Sequence, residues 1–238
     1  MRFPSPLVEA RLLRRYKRFL ADVAFADGRE ETVHVANPGA MLGLDAPGAR
    51  VLLSRSDNPK RKLPLSWEAV EAAPIAGVPQ WVGVNTANPN RLVAEALAAG
   101  TLAPFAEYGR VRPEVAYGRA SRVDFLLEGD GLPPLYLEVK NCHLMRREGL
   151  AEFPDCKAAR SARHLDELSA MVAAGARAAL VTIVQMRAER FRPAADIDPA
   201  YAAAVARARA AGVALHAFVC RVSPEEIVID HEIPFEAG

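Results

Sequence analysis

Cysteine is scarce and unpatterned in this chain. Cys142, Cys156 and Cys220 are odd in number and far apart among 238 residues, which excludes a disulfide framework and a zinc knuckle and leaves buried free thiols as the expectation. Cys142 beside His143 makes no nucleophile motif, because adjacent strand residues point to opposite faces. No stretch approaches 18 uninterrupted apolar residues, and Met1-Arg2-Phe3-Pro4-Ser5-Pro6 lacks the apolar run of a signal peptide, so no membrane span is expected and the cytoplasm is the expected compartment. A glycine-rich phosphate loop, a dinucleotide fingerprint and a nucleophile elbow are all missing, which takes support from nucleotide-dependent and elbow-hydrolase chemistry. Net charge is nearly absent too, at +1.

What is there begins with 51% hydrophobic content, ample for a packed core in one large domain or two modest ones. Charge is uneven along the chain: residues 1–80 hold 12 Lys or Arg against 9 Asp or Glu, while the remainder is net acidic. Arg11, Arg14, Arg15, Lys17 and Arg18 occur without an acid among them, Tyr16 and Phe19 interleave, and Lys60-Arg61-Lys62 follows Arg55. Cations beside rings are what a nucleic-acid groove uses, for phosphates and bases respectively; a solvated basic face with core aromatics reads the same way.

The residues that carry most information are Val123-Asp124-Phe125 and Leu137-Glu138-Val139-Lys140, flanking the turn residues Gly129-Asp130-Gly131-Leu132-Pro133-Pro134. Both flanks alternate with strand period, which predicts an antiparallel hairpin with Asp124 opposite Glu138. One face would carry Val123, Phe125, Leu127, Leu135, Leu137 and Val139 to the core; the other would carry Arg122, Asp124, Leu126, Tyr136, Glu138 and Lys140. Carboxylates directly opposed, about 5 Å apart at Cβ, destabilise a sheet unless neutralised. A divalent cation would do that: Mg²⁺ takes one or two carboxylates, polarises a phosphoryl oxygen and acidifies a bound water, and Lys140 on the same side could orient that water or offset developing charge. The pattern therefore points to a metal-dependent phosphodiesterase, although such residues also decorate solvated hairpin faces as cross-strand ion pairs.

Strand-like runs at 7–13, 18–26, 30–36, 49–55 and 65–73, punctuated by Asp27-Gly28, Pro38-Gly39 and Pro47-Gly48, predict a small five-stranded barrel over residues 1–80. Leu12, Leu13, Tyr16, Phe19, Leu20 and Val23 also fit helical spacing, and the Asp27-Gly28 hairpin signal favours strands. The stretch from Ala72 to Pro79 reads as a linker, and residues 81–238 then alternate helices and strands. A first helix is expected to be capped by Asn88 and to end at Gly100; on it Glu95 is either an ion pair with Arg91 or an additional acidic group for the metal, with Glu114 next in rank. A long helix is expected from Asp155 to Ala174, with Lys157, Arg160 and His164 on one stripe that could hold a phosphate. Ala178 to Val184 reads as a buried strand, Pro199 to Ala211 as a helix and Val213 to Val219 as a strand.

Phe3 to Val8, Arg15 to Val23, Asn37-Pro38-Gly39-Ala40-Met41, Ser56 to Lys62, Gly83-Val84-Asn85-Thr86, Ser121 to Leu126, Glu138-Val139-Lys140 and Phe153-Pro154-Asp155 follow one another along nearly the whole chain. Together, in this order, these blocks resemble the sugar fermentation stimulation protein A family. The resemblance implies an α+β architecture: an N-terminal OB-like β-barrel, then an α/β restriction-endonuclease-like (PD-(D/E)xK) domain with a central mixed sheet. It implies DNA as partner, Mg²⁺ (or Mn²⁺) on Asp124 and Glu138, and Lys140 as the catalytic lysine. The barrel cations Arg15, Lys17, Arg18, Lys60, Arg61 and Lys62, with Arg160 and His164, are the candidate DNA contacts. Two departures touch the substrate contacts: Ser161-Ala162-Arg163-His164 stands where a Gly-Gln-Lys-His run is expected, and Lys140-Asn141-Cys142 where Lys-Ser-Val is usual. Two functions of different class follow, a metal-dependent nuclease and a DNA-binding regulator of sugar metabolism on a nuclease-like fold. A homodimer would serve cutting of both strands, and no residue requires one.

Overall fold

The structure, a computed structural model, describes residues 1–73, 79–118 and 121–237. The expected strands form as β1 (Val8–Tyr16), β2 (Leu20–Ala24), β3 (Glu30–His34), β4 (Arg50–Arg55) and β5 (Leu65–Ala72). Antiparallel pairings run β3-β2-β1-β4-β5, and one parallel rung between His34 and Ser66 closes them into a barrel. Alternation decides the inside: Ala10, Leu12, Ala21, Val23, Val33, Val51, Leu53 and Trp67 are buried together. The helical spacing around Leu12 to Val23 loses to a hairpin because Lys17 and Arg18 turn the chain at φ 49° and 61°, a left-handed pair that no helix tolerates.

The sheet extends past Ala72 to β6 (Gln80–Gly83), which pairs with β5 and straddles the expected division at residue 80. Of the expected linker, residues 74–78 lie outside the described residues.

Next come α1 (Asn88–Ala98), β7 (Arg110–Tyr117), β8 (Ser121–Glu128), β9 (Leu135–Cys142), β10 (Leu144–Arg147), β11 (Leu150–Phe153), α2 (Ala159–Ala173), β12 (Arg177–Val184), β13 (Arg190–Pro193), α3 (Pro199–Ala210), β14 (Ala214–Val222) and β15 (Ile227–Ile233). The main sheet has the order β15-β14-β12-β9-β8-β7. It is mixed: β12 lies parallel to β9 and β14, while the β14–β15, β8–β9 and β7–β8 pairs are antiparallel. Helix α1 covers one face with Leu92, Val93 and Ala96 against Phe125, Leu137 and Val181; α2 and α3 cover the other with Leu165, Leu168, Tyr201 and Val205 against Leu126 and Leu180. The three short strands β10, β11 and β13 form a separate sheet that the sequence did not announce. No helix is long and apolar enough to cross a membrane among the described residues.

Three local expectations need correction. Asn88 does not cap α1: it lies inside the helix, and its amide donates to buried Glu68 at 2.9 Å. Helix α2 starts at Ala159 rather than Asp155, because the Asp155 carboxylate is taken by the Met41 N–H at 2.7 Å and His143 at 3.2 Å; Asp198 instead accepts from the Ala158 N–H. Val123 does not share a face with Phe125: it packs with Leu126 and Tyr136 beneath α2 and α3, while Phe125 packs against α1.

Candidate metal and phosphate site

Asp124 lies where both ladders of β8 are interrupted. Toward β7 the pairing passes from Pro113–Phe125 to Val115–Val123 and omits the rung between, where Glu114 takes φ 53°. Toward β9 the ladder ends at Phe125–Leu137, one rung short of Asp124 and Glu138. The carboxylate fills the gap: Asp124 Oδ2 accepts from the Val139 N–H and Oδ1 from the Asn90 side chain on α1, each at 2.7 Å. The hairpin register thus places the two acids side by side, as the alternation predicts.

Glu138 is 3% exposed in the middle of the sheet, with Leu180 of β12 beside it. Its Oε1 accepts from Lys140 Nζ at 2.5 Å and from His164 Nδ1 on α2. Arg160 Nε donates to His164 Nε2 at 3.2 Å, so the imidazole carries its proton on Nδ1, facing Glu138. Glu138 Oε2 is buried and has no hydrogen-bond partner among the described residues. Burial pulls the Glu138 carboxyl upward, but the His164 and Lys140 contacts outweigh it and hold the group below the usual carboxylate range. Asp124 goes the other way, raised by burial and by the charge of Glu138. The two neighbouring acids are thus displaced in opposite directions, because the His164 and Lys140 contacts act chiefly on Glu138 while burial and the Glu138 charge dominate at Asp124.

A cavity of about 1240 Å³ opens over this pair. Arg122, Lys140, Arg160, Arg163 and His164 line it, as do Glu114, Asp166 and Glu167, with Asn90 and Thr86 at one wall. The barrel side contributes Pro38, from the loop between β3 and β4.

Residues 13–84 match the family model described as SfsA N-terminal OB domain, and residues 87–226 match the one described as Sugar fermentation stimulation protein RE domain. A sugar fermentation stimulation protein homolog from Methylorubrum populi is 66% identical over 229 residues, covering 96% of this chain and 92% of the relative. One from Methylobacterium nodulans is 64% identical over 234 residues, covering 98% of each. The chain belongs to the sugar fermentation stimulation protein family. In fold it is similar to Pyrococcus furiosus SfsA, whose structure was solved in complex with Ca²⁺, with a TM-score of 0.88 at 24% identity over 99% of this chain and 98% of that one.

Within this family member the site residues expected from the sequence divide into two groups. Asp124, Glu138, Lys140, Arg160 and His164 meet at the cavity, and Glu114 stands exposed in its wall. Glu95 is elsewhere: its carboxylate lies 2.9 Å from the Met1 amino group, not against Arg91. Arg15 turns inward, its guanidinium donating to the carbonyls of Arg18, Asn37, Gly39 and Ala40 at 2.8 to 3.1 Å. Lys17, Arg18, Lys60 and Lys62 are exposed, while Arg61 donates to Ser66 Oγ at 2.7 Å. The thiols of Cys142 and Cys220 are buried and Cys156 is exposed.

Sequence reading missed Asn90, Glu167 and Tyr117. Asn90 had a visible signal, two residues after Asn88 at the start of the helix. Glu167 and Tyr117 had none: Glu167 lies at i+3 from His164 on a stretch rich in charge, and Tyr117 closes an edge strand. Burial pushes the Tyr117 phenol up, and the charges of Glu138, Glu167 and Asp124 add to the effect.

Proposed function

We propose that this chain is a Mg²⁺- or Mn²⁺-dependent nuclease that hydrolyses phosphodiester bonds in DNA in the cytoplasm, on a restriction-endonuclease-like domain. One observation carries the reading: Glu138 keeps a buried, unpartnered carboxylate oxygen beside the raised carboxyl of Asp124, at the floor of a cavity ringed by arginines. A buried acceptor left bare costs about 1–3 kcal/mol, and a cation removes that cost. The donor set fits a hard cation, since two carboxylates suffice for Mg²⁺ when water and phosphate oxygens complete its shell. Among the described residues no group of three or more His, Cys, Asp or Glu could hold a metal, so this reading gives the ion no protein carboxylates beyond Asp124 and Glu138. The Ca²⁺ complex of Pyrococcus furiosus SfsA supports a cation site in this fold.

Asp124 and Glu138 would hold the ion. When bound, a divalent cation polarises a phosphoryl oxygen and lowers the pKa of a coordinated water. Lys140, anchored on Glu138, puts a positive charge where negative charge grows on the phosphoryl oxygens, and Asn90 fixes the rotamer of Asp124. Arg160 is oriented by His164, and with Arg122 and Arg163 it supplies forked donors for the scissile and flanking phosphates. Lys17, Arg18, Lys60 and Lys62 are exposed on the barrel part and would supply further phosphate contacts.

The test is cleavage of single-stranded, double-stranded and branched DNA by purified protein with Mg²⁺, Mn²⁺ or EDTA. Asp124→Ala and Glu138→Ala are expected to lower metal-dependent cleavage by about a hundredfold or more while DNA affinity changes little, because they remove chemistry rather than docking. Cleavage unchanged in both variants sinks the site. The family's name speaks of stimulating sugar fermentation and not of cleavage; a DNA-binding regulator of sugar metabolism without turnover is the second reading, and binding without cutting under every condition would favour it.

A further inference from the structure

Of the large hydrophobic side chains exposed among the described residues, Phe19 at 47% is the aromatic one, beside Leu42 and Val111. A lone exposed ring is ordinary on a protein surface, but the setting of this one is not. Tyr16 pairs with Leu20, so Lys17-Arg18-Phe19 is the entire turn between β1 and β2. Lys17 and Arg18 hold left-handed φ values of 49° and 61°, which Gly or Asn would adopt more readily. Such strain persists only where the surroundings over-determine it, and it collects where chains meet ligands. Here the Arg15 fork donates to the Arg18 carbonyl at 3.1 Å, the Phe19 N–H to the Lys17 carbonyl at 2.7 Å, and the Val35 N–H to the Phe19 carbonyl at 2.9 Å. A fixed turn thus displays two exposed cations and a bare ring. The Tyr16 ring, by contrast, is already engaged, with the Arg14 guanidinium 5.0 Å over it and its hydroxyl donating to Asp22.

The turn stands beside the cavity. Val35 is followed by Ala36, whose carbonyl accepts from both the N–H and the hydroxyl of Thr86, and then by Pro38; Thr86 and Pro38 line the cavity wall. Three residues of chain and one strand rung keep the Phe19 and Pro38 backbones within about 16 Å of each other. Arg61 reaches from the β4–β5 loop to His34 Nδ1 at 3.3 Å, and His34 pairs with Leu20, so the loop that carries Lys60 and Lys62 is fastened one rung from the residue after Phe19. A phenyl ring has no hydrogen-bonding group with which to read base edges; it offers a face. In a duplex the base faces are covered by their neighbours, whereas an unpaired base can stack on a side chain. We propose that Phe19 is the stacking platform for an unpaired base, and that the chain takes single-stranded DNA led over the barrel turn into the cavity, with Lys17 and Arg18 on the adjacent phosphates. This rests on the reading of the cavity as a DNA site and narrows its substrate to one form of strand.

Binding in EDTA, without turnover, is read from the fluorescence anisotropy of a labelled oligothymidylate and of a blunt duplex of equal length. The wild-type chain is expected to prefer the single strand. Phe19→Ala should lower that affinity about tenfold and leave duplex affinity, salt dependence and melting temperature as in the wild type. Lys17→Ala with Arg18→Ala should instead weaken both DNAs and flatten the salt dependence, which separates phosphate contact from stacking. Phe19→Trp should keep single-strand affinity, and the emission it adds should be quenched by the strand. Wild-type affinity for the single strand in Phe19→Ala overturns the platform, and so does an equal loss on both DNAs, the mark of a turn that has changed shape. A single strand bound through Phe19 but never cut with Mg²⁺ or Mn²⁺ leaves this inference standing and removes the nuclease; a wild-type chain that binds neither DNA removes both.

Discussion

Asp155 shows how one carboxylate can join distant segments. It accepts from the Met41 N–H of the β3–β4 loop and pairs with His143 just after β9. Burial works to raise its pKa, and the His143 contact and the Met41 N–H outweigh burial, bringing it from the ordinary 3.8 to about 2. A depressed carboxyl gives stability that is fully present above the unfolded value and is lost as pH falls through the folded one, so Asp155 stabilises above pH 3.8 and loses its effect by about pH 2. Asp155→Asn should cost about 1–2 kcal/mol at pH 7 and much less near pH 2, because only the ionised group carries the advantage. Chemical denaturation at the two pH values measures it; an equal loss at both would show that the effect is packing rather than charge.

At the scale of elements, the β1–β2 hairpin separates two jobs that its basic sequence had merged. Arg15, Lys17 and Arg18 read as one phosphate-binding cluster, but the Arg15 fork is committed to four carbonyls and ties the turn to the loop that carries Pro38 to the cavity. Lys17 and Arg18 remain exposed on the left-handed turn, beside a Phe19 ring that is 47% exposed. Arg15→Ala should therefore destabilise the fold by about 2 kcal/mol, through carbonyls stripped of donors. Lys17→Ala with Arg18→Ala should change stability by under about 0.5 kcal/mol yet weaken DNA binding for all sequences alike, lowering the slope of log affinity against log salt by about 1 per cation removed. Melting curves and salt titrations separate the two effects, and loss of only one target sequence in the double variant would contradict phosphate contact.

The barrel and the mixed-sheet part share a core. Barrel residues such as Val33, Leu53 and Trp67 share one buried cluster with Cys142, Met145, Val184 and Phe191 from the mixed-sheet part. Glu68 of β5 is buried and accepts from Ser54, Asn85 and Asn88, so the segment that leads into α1 is pinned to the barrel. A single cooperative thermal transition is expected, with residues 1–84 alone unable to hold the fold, because removing the second part would expose that shared core. Two resolved calorimetric transitions would contradict it.

Local signals carried most of the fold. Period-two alternation and turn residues located all five barrel strands and the β8–β9 hairpin, and Gly100, Gly175 and Gly212 marked the ends of three helices, because these features depend on residues within one turn or one strand of each other. The strands β10, β11 and β13 escaped notice: each is four residues long, β10 and β11 form a short hairpin without alternation enough to mark it, and β11 pairs with β13 about forty residues away. For the same reason the sequence by itself determined that Asp124, Glu138 and Lys140 share a strand face, a matter of register. Tertiary structure alone decided which charges meet them. His164, Arg160 and Glu167 arrive from α2 and the neutral Asn90 from α1, while Arg15 and Glu95 are drawn away by carbonyls and an amino group distant in sequence. Charged side chains are long and their partners non-local, so burial and the nearest unsatisfied group, not spacing, fix where they end.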